Sequence, residues 1–286
     1  MREDEDASRS LDRKPERKNV AIKLAWLTDP HLNFAGIPKT EALINEIGAT
    51  SPDALLLTGD IGESDDLEGW LQLMNARLDC PTYFVLGNHD FYGSTIEDVR
   101  ALASELTEAF DRVFWLGCQD VISLSSETAL IGHDSWGDGR EGNMMTSRVM
   151  LADFMRIADL RGLDRKQLQA KLATLGDEAA EFLRPRLSSA LATHRHTIVL
   201  MHVPPFRESA WHEGNASDDE WSPYFVCQAV GDLLLEVAAD HPGAMLTVLC
   251  GHTHSGGEVW MAPNLRVRTG GAVYRKPAPQ DPLVMP

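Results

Sequence analysis

Apolar residues in this chain follow two rhythms that take turns. Val20 to Thr28, Ala54 to Thr58 and Thr82 to Leu86 are short apolar runs of strand length. Between them, Lys39 to Thr50, Asp65 to Leu78 and Ser94 to Ala109 carry apolar residues at helical spacing, with Leu43, Ile44 and Ile47 on one face of the first. Ser94, with Glu97 three residues later, has the spacing of a capping box. Strands alternating with helices predict an α/β layered core. The middle of the chain changes character. Val113 to Leu116, Val121 to Leu124 and Thr128 to Gly132 read as the strands of a meander, followed by a stretch rich in Gly and Asp, Asp134 to Asn143. Thr146 to Thr193 is largely helical, with interruptions expected at Arg161-Gly162 and Gly176. A strand at Thr197 to Met201, a loop at Phe206 to Pro223, a helix at Tyr224 to Ala239 and a strand at Met245 to Cys250 come next. Two last strands, near Glu258 to Met261 and Leu265 to Thr269, complete the pattern. The expected organisation is one domain over 20–275 with a mainly helical insertion at about 134–193. A charged, disordered tail is expected at 1–19 and a Pro-rich tail at 276–286.

Polar clusters stand at the ends of these strands. They are Asp29-Pro30-His31, Gly59-Asp60, Gly87-Asn88-His89-Asp90, His202 and Gly251-His252-Thr253-His254. Asp29 and His31 are two residues apart, so in extended backbone they project from one face and can grip one ion. His252 and His254 repeat that spacing with nitrogen donors. Gly59 permits the tight turn that sets Asp60 where a carboxylate can bridge two cations. Asn88 adds a neutral amide oxygen and His202 an imidazole. Taken singly, an Asp-x-His or Gly-Asp at a strand end is an ordinary turn or cap. Together they predict a two-metal site of seven side chains: Asp29, His31, Asp60, Asn88, His202, His252 and His254. Oxygen and imidazole donors without thiolate suit Mn, Fe, Co or Zn better than Ca or Mg.

Weaker signals surround these clusters. His133-Asp134 reads as a strand-end turn. Trp136, Arg140 and Asn143 are either contacts to a phosphate or base, or ordinary loop residues. Trp211, Trp221, Tyr224 and Phe225 are either an aromatic wall or the packing of a long loop. His194, His196, His212 and His241 lack partner spacing and are expected at the surface.

Composition narrows the partners. A formal net charge of −17 argues against non-specific attraction to nucleic acid or anionic membranes, though bound cations reverse the local field for a phosphate. The four cysteines, Cys80, Cys118, Cys227 and Cys250, are scattered and form no CxxC pair, as in a reducing compartment. There is no apolar run of transmembrane length and no signal-peptide core, so a cytoplasmic location is expected.

On these motifs, the chain resembles the calcineurin-like metallophosphoesterases from about Leu24 to Thr269. The resemblance implies a four-layer α-β-β-α sandwich of two mixed β-sheets flanked by helices. It implies that Asp29, His31, Asp60 and His254 hold one metal, with Asp60 bridging, and that Asn88, His202 and His252 complete the second. His89 would contact the leaving group and Asp90 would orient it, favouring an imidazolium. Two divalent or trivalent ions (Mn, Fe or Zn) would then supply a metal-activated hydroxide. The segment Met201-His202-Val203-Pro204-Pro205 is similar to the bacterial cyclic-nucleotide phosphodiesterase branch. Gly59-Asp60 is followed by Ile61-Gly62-Glu63-Ser64 rather than the Asp-Arg-Gly of protein phosphatases, and His89 stands where lipid-A-precursor pyrophosphatases carry Arg. The expectation is hydrolysis of a phosphodiester or small phosphorylated substrate. A phosphomonoesterase and a non-catalytic metal-binding scaffold are the competing readings. The expected partner is a small-molecule phosphoester, with no nucleic acid or membrane, and a homodimer is compatible with the chain.

Overall fold

Successive strand residues point to opposite faces, and this period of two sorts the apolar residues into layers. The computed structural model describes residues 21–286; the expected tail at 1–19 and Val20 lie outside them. The first half runs β1 (Ile22–Leu27), α1 (Leu32–Ala35), α2 (Ile37–Ala49), β2 (Ala54–Thr58), α3 (Leu67–Arg77), β3 (Thr82–Val85), α4 (Ile96–Ala109), β4 (Val113–Trp115), β5 (Ile122–Ser123) and β6 (Thr128–Gly132). Then follow α5 (Asp153–Arg156), α6 (Arg165–Leu191), β7 (His196–Leu200), β8 (Trp211–His212), β9 (Asn215–Ala216), α7 (Ser222–Phe225) and α8 (Gln228–Asp240). The chain closes with β10 (Met245–Cys250), β11 (Gly257–Ala262), β12 (Leu265–Thr269) and β13 (Leu283–Met285).

One sheet has the order β13-β1-β2-β3-β4 and the other β11-β12-β10-β7-β6-β5. In each, the central strands are parallel and the antiparallel pairs lie at the edges. Leu24, Trp26, Leu56 and Val85 of the first sheet meet Leu130, Ile198, Leu200 and Leu249 of the second in a dry interior. The intervening residues face outward. Ala25, Leu27, Leu55 and Leu57 pack under α2, α3 and α4, while Val199, Val248 and Val267 pack under α6 and α8. Helix, sheet, sheet, helix is therefore the order of layers. Residues buried on both faces explain why β1, β2 and β10 read as continuous apolar runs.

Several expectations change here. The meander splits: β4 ends the first sheet, while β5 and β6 begin the second. Within the segment expected as a helical insertion, α6 supplies Ala179, Leu183 and Leu187 to the outer core of the second sheet. The irregular stretch before α5 and the β8–β9 hairpin lie outside the two main sheets. Gly176 does not interrupt α6; it lies within it, where a Cβ would come within 2.6 Å of the Asp138 side chain. Thr95, not Ser94, caps α4 and accepts from the Asp98 amide at 3.0 Å. The helix expected over 224–239 is broken into α7 and α8. The Pro-rich tail ends in β13, which pairs with β1, and the Pro286 carbonyl accepts from Ser125 and Thr128 of the other sheet. No helix among the described residues is long and apolar enough to cross a membrane.

Candidate metal centre

Parallel strands present their C-terminal ends on one side, and the loops that leave them carry the polar clusters. Asp29 and His31 follow β1, Asp60 follows β2, Asn88 follows β3, His202 follows β7, and His252 and His254 follow β10. Backbone hydrogen bonds lace these loops together, from Asp29 N to Gly59 O, from His31 N to Asp60 O, and from Gly251 N to His202 O. Gly59 has φ +88, and a Cβ there would lie 2.6 Å from His202 Nδ1. Asp29, His31, Asp60, His252 and His254 all adopt positive φ, a conformation that costs energy for residues with a side chain. Five strained residues in one cluster are tolerated because the loops over-determine them.

The donors form two groups around Asp60. In the first, Asp29, His31, Asp60 and His254 offer ligand atoms within 4.8 Å of one another. His31 Nε2 and His254 Nε2 are 3.0 Å apart, and Asp60 Oδ2 lies 3.6 Å from His31 Nε2. In the second, Asn88 Oδ1 lies 3.0 Å from both His202 Nε2 and His252 Nδ1, and Asp60 Oδ1 lies 3.4 Å from His202 Nε2.

Proton positions in the second group follow from the outer partners. His202 Nδ1 faces the Thr58 carbonyl at 2.8 Å, so that nitrogen carries the proton and Nε2 presents a lone pair. His252 Nε2 faces the Tyr224 carbonyl at 3.2 Å, which leaves Nδ1 with its lone pair inward. Asn88 Nδ2 donates to Asp153 at 2.8 Å, which turns the amide oxygen inward. Three lone pairs, from His202 Nε2, His252 Nδ1 and Asn88 Oδ1, thus converge with no proton among them. That arrangement is repulsive on its own and fits a cation.

Electrostatics agree. Burial pushes Asp29 up to about 7 and raises Asp60 well above the carboxylate range, with Asp29 and Asp90 adding to the effect on Asp60. Burial and the neighbouring histidines push His31 and His252 down, and burial brings His202 to about 4. Neutral imidazoles beside carboxylates in want of a positive charge are the ionisation states that metals select.

His89 and Asp90 differ from the sequence expectation. The Asp90 carboxylate is fully buried and accepts from the backbone amides of Ile61, Gly62 and Gly87, at 2.8–2.9 Å. It clamps the loops bearing Asp60 and Asn88 and makes no hydrogen bond to the His89 ring. His89 is pushed down to about 3, by burial first and then by His202, His254 and Arg156. An imidazolium favoured by Asp90 is therefore corrected to a neutral ring. That ring packs on His31 and Tyr92, with centroids 4.5 and 4.3 Å away, and lines the cleft.

Other sequence candidates divide. Arg140 is held by Asp138 and Asp177 and does not line the cleft. Trp136 is buried in the core. Asn143 bonds Asp219 and Ser147 through its backbone. Asp134, buried, accepts from Leu86 N, Trp115 Nε1 and Arg100, a structural role. Trp221 and Phe225 do line the cleft, as does His212, which the sequence reading placed at the surface. Tyr92, Asp153 and Tyr274 also line it and were missed. None of them belongs to a motif; a Tyr or Asp in a loop carries no signal until the fold brings it to the site.

Comparisons with known proteins follow the same lines. The sequence profile of the calcineurin-like phosphoesterases matches residues 22–256. A probable cyclic nucleotide phosphodiesterase of Pseudoalteromonas sp. (strain SM9913) is 29% identical over 86 residues. That match spans 26% of this chain and 33% of the relative, so the chain covers about a third of that protein's length. Among solved structures, the phosphopantetheinyl hydrolase of Mycobacterium tuberculosis aligns with TM-score 0.64 at 15% identity, over 91% of this chain and 95% of that one. A dimetal phosphatase of Danio rerio aligns with TM-score 0.54 at 15% identity, over 87% of each. At such identities the likeness is one of fold. The profile spans most of the chain, so the chain belongs to the calcineurin-like phosphoesterase family.

Proposed function

We propose that the protein is a binuclear metal-dependent phosphoester hydrolase that prefers phosphodiesters. Asp29, His31, Asp60 and His254 would hold one ion (Mn, Fe or Zn). Asn88, His202 and His252 would hold the other, with Asp60 shared. Asp60 carries this reading: its two oxygens face different donor groups, Oδ2 toward His31 and Oδ1 toward His202. When bound, two such ions supply Lewis acidity toward the phosphoryl oxygens and an acidified water.

The side chains have separate tasks. Thr58, Tyr224 and Asp153 fix which atom each of His202, His252 and Asn88 turns inward. Asp90 holds the loops in register. His89, neutral and lining the cleft, donates a hydrogen bond to charge that develops on the leaving oxygen. Among the described residues no Lys or Arg lines the cleft. A diester brings one negative charge and a monoester up to two, so the lack of extra cations favours the diester. The partial match to a probable cyclic nucleotide phosphodiesterase points the same way.

The test is hydrolysis of bis(p-nitrophenyl) phosphate against p-nitrophenyl phosphate by the Mn²⁺-loaded protein. The expected result is about tenfold or greater preference in kcat/KM for the diester. Preference for the monoester would make it a phosphomonoesterase. No turnover of either, with two ions bound, would make it a non-catalytic metal-binding scaffold.

A further inference from the structure

Two rows of aromatic rings diverge from the donor cluster. On one side, Phe225 stands edge-on to His252 at a centroid distance of 5.0 Å, and Trp221 stacks on Phe225 at 5.0 Å with 29° between the planes. His212 continues the row, 4.5 Å from Trp221. On the other side, Tyr274 packs 4.5 Å from His31 and 4.9 Å from His254, and Phe34 stands edge-on to Tyr274 at 5.5 Å. The cleft between has a volume of about 480 Å³ and opens to solvent. Tyr274 remains 46% exposed and Phe34 41%, although each is a large apolar ring. In the facing row Trp221 and His212 are half-buried and line the cleft, and Phe225, 7% exposed, backs them, so both rows offer aromatic surface to a bound group.

Charge limits what that is. The Arg156 guanidinium lies 4.6 Å from the Tyr92 ring centroid and is held bidentately by Glu63 at 2.6–2.8 Å. Asp60 and Asp153 are the acids in the lining, and Asp153 is engaged by Asn88 and Tyr92. Among the described residues no Lys or Arg lines the cleft itself to meet a second phosphate or a carboxylate; Lys276 lies outside it, in the adjoining recess with Asp29 and His254. A flat uncharged group would find ring faces to stack on and ring edges to meet, with little polar surface to desolvate.

We propose that the row Phe225–Trp221–His212 is a specificity subsite for a planar aromatic or heteroaromatic arm of the ester. The hydrolase would thus select monoanionic phosphodiesters with one ring-bearing arm over alkyl or multiply charged esters. The inference rests on the phosphoesterase reading above, and adds which substrates the site takes. The row depends on the small β8–β9 hairpin, which presents His212, and on α7, which presents Phe225.

The experiment is calorimetric titration of the Mn²⁺-loaded protein with methylphosphonate, cyclohexylphosphonate and phenylphosphonate, alongside turnover of bis(p-nitrophenyl) phosphate. Phenylphosphonate should bind about tenfold tighter than methylphosphonate, and at least about threefold tighter than cyclohexylphosphonate, which is apolar but not flat. Trp221→Ala should reduce the phenyl-to-methyl ratio to about threefold or less. His212→Ala should lower it as well and serves if the tryptophan variant does not fold. The ratio should persist in Arg184→Ala, whose side chain pairs with Glu236 far from the cleft. Equal binding of the three phosphonates, cyclohexyl preferred over phenyl, or an unchanged ratio in the folded variants would overturn the subsite. Turnover without phenyl selectivity would overturn the subsite alone. Selective binding without turnover of any ester would support the subsite and remove the hydrolase reading.

Discussion

Asp153 controls the centre without being one of the proposed ligands. Its buried carboxylate accepts from Asn88 at 2.8 Å and from the Tyr92 hydroxyl at 2.6 Å, and so decides that the Asn88 oxygen turns inward. Asp153→Ala frees the amide to rotate and leaves the Tyr92 hydroxyl without its partner. The variant should bind the second ion about 10–100-fold more weakly, measured by metal titration, while the first ion binds as before. His89 makes the opposite prediction. It is not among the donors, so His89→Ala should keep both ions by elemental analysis and lose about 10²-fold or more in kcat. The loss should be larger for esters with poor leaving groups, because only there does hydrogen bonding to the leaving oxygen limit the rate. A uniform small loss across leaving groups would count against that role.

Elements joined across long sequence separations set the limits of the scaffold. β13 buries Leu283 and Met285 at the edge of the first sheet, and Pro286 ties that edge to Ser125 and Thr128 of the second. Removing 282–286 uncovers β1 and forfeits two buried side chains, each worth about 1.5–3 kcal/mol before the entropy of ordering the segment. The melting temperature should fall by roughly 5–10 °C, read by calorimetry. An unchanged melting temperature would mean that β13 is not held in solution. This strand is illegible in the sequence because three residues give no period and its partner β1 lies at the other end of the chain. The same reason hides the split of β4 from β5 between two sheets. By contrast, α2, α4 and β10 are long enough to declare themselves, and their ends differ from expectation by a few residues at most. α6 shows local propensity overruled by packing. A break is expected at Gly176, yet the helix continues through it and through Pro185, because its apolar face is buried on β6 and β7; the close approach of Asp138 leaves no room for a Cβ at 176.

For the molecule as a whole, metal content and pH are linked. Without metal, Asp29 has its pKa raised from 3.8 to about 7, so the folded apo-protein holds a proton that the unfolded chain releases above about pH 4. The contribution of this group to apo stability is therefore present at low pH and lost as pH rises through 7. Asp60 shifts in the same direction. The ligand histidines shift the opposite way and are already neutral above about pH 6.5, so they add little to the comparison at higher pH. Metal displaces the carboxylate protons and removes the burial penalty. The melting temperature of the Mn²⁺-loaded protein should thus exceed that of the chelated protein by an amount that grows between pH 5 and pH 8. A gap that stayed constant or narrowed with pH would show that these carboxylates do not hold the ions.

The sequence by itself determined the alternation of strands and helices and the polar clusters at strand ends, while the order of layers was implied by the family resemblance those clusters carry. Strand period, helix period and polar clusters at strand ends are local properties, written within a few residues of each other. The tertiary structure decided everything that depends on residues far apart. It turned Asp90 from His89 to the loop amides, set Asp153 behind Asn88, and made two ring rows from Phe34, Tyr274, His212, Trp221 and Phe225. Chemistry carried by a motif survives in a linear reading because its spacing is fixed by the backbone. Chemistry carried by a surface appears only when separate loops are folded against one another.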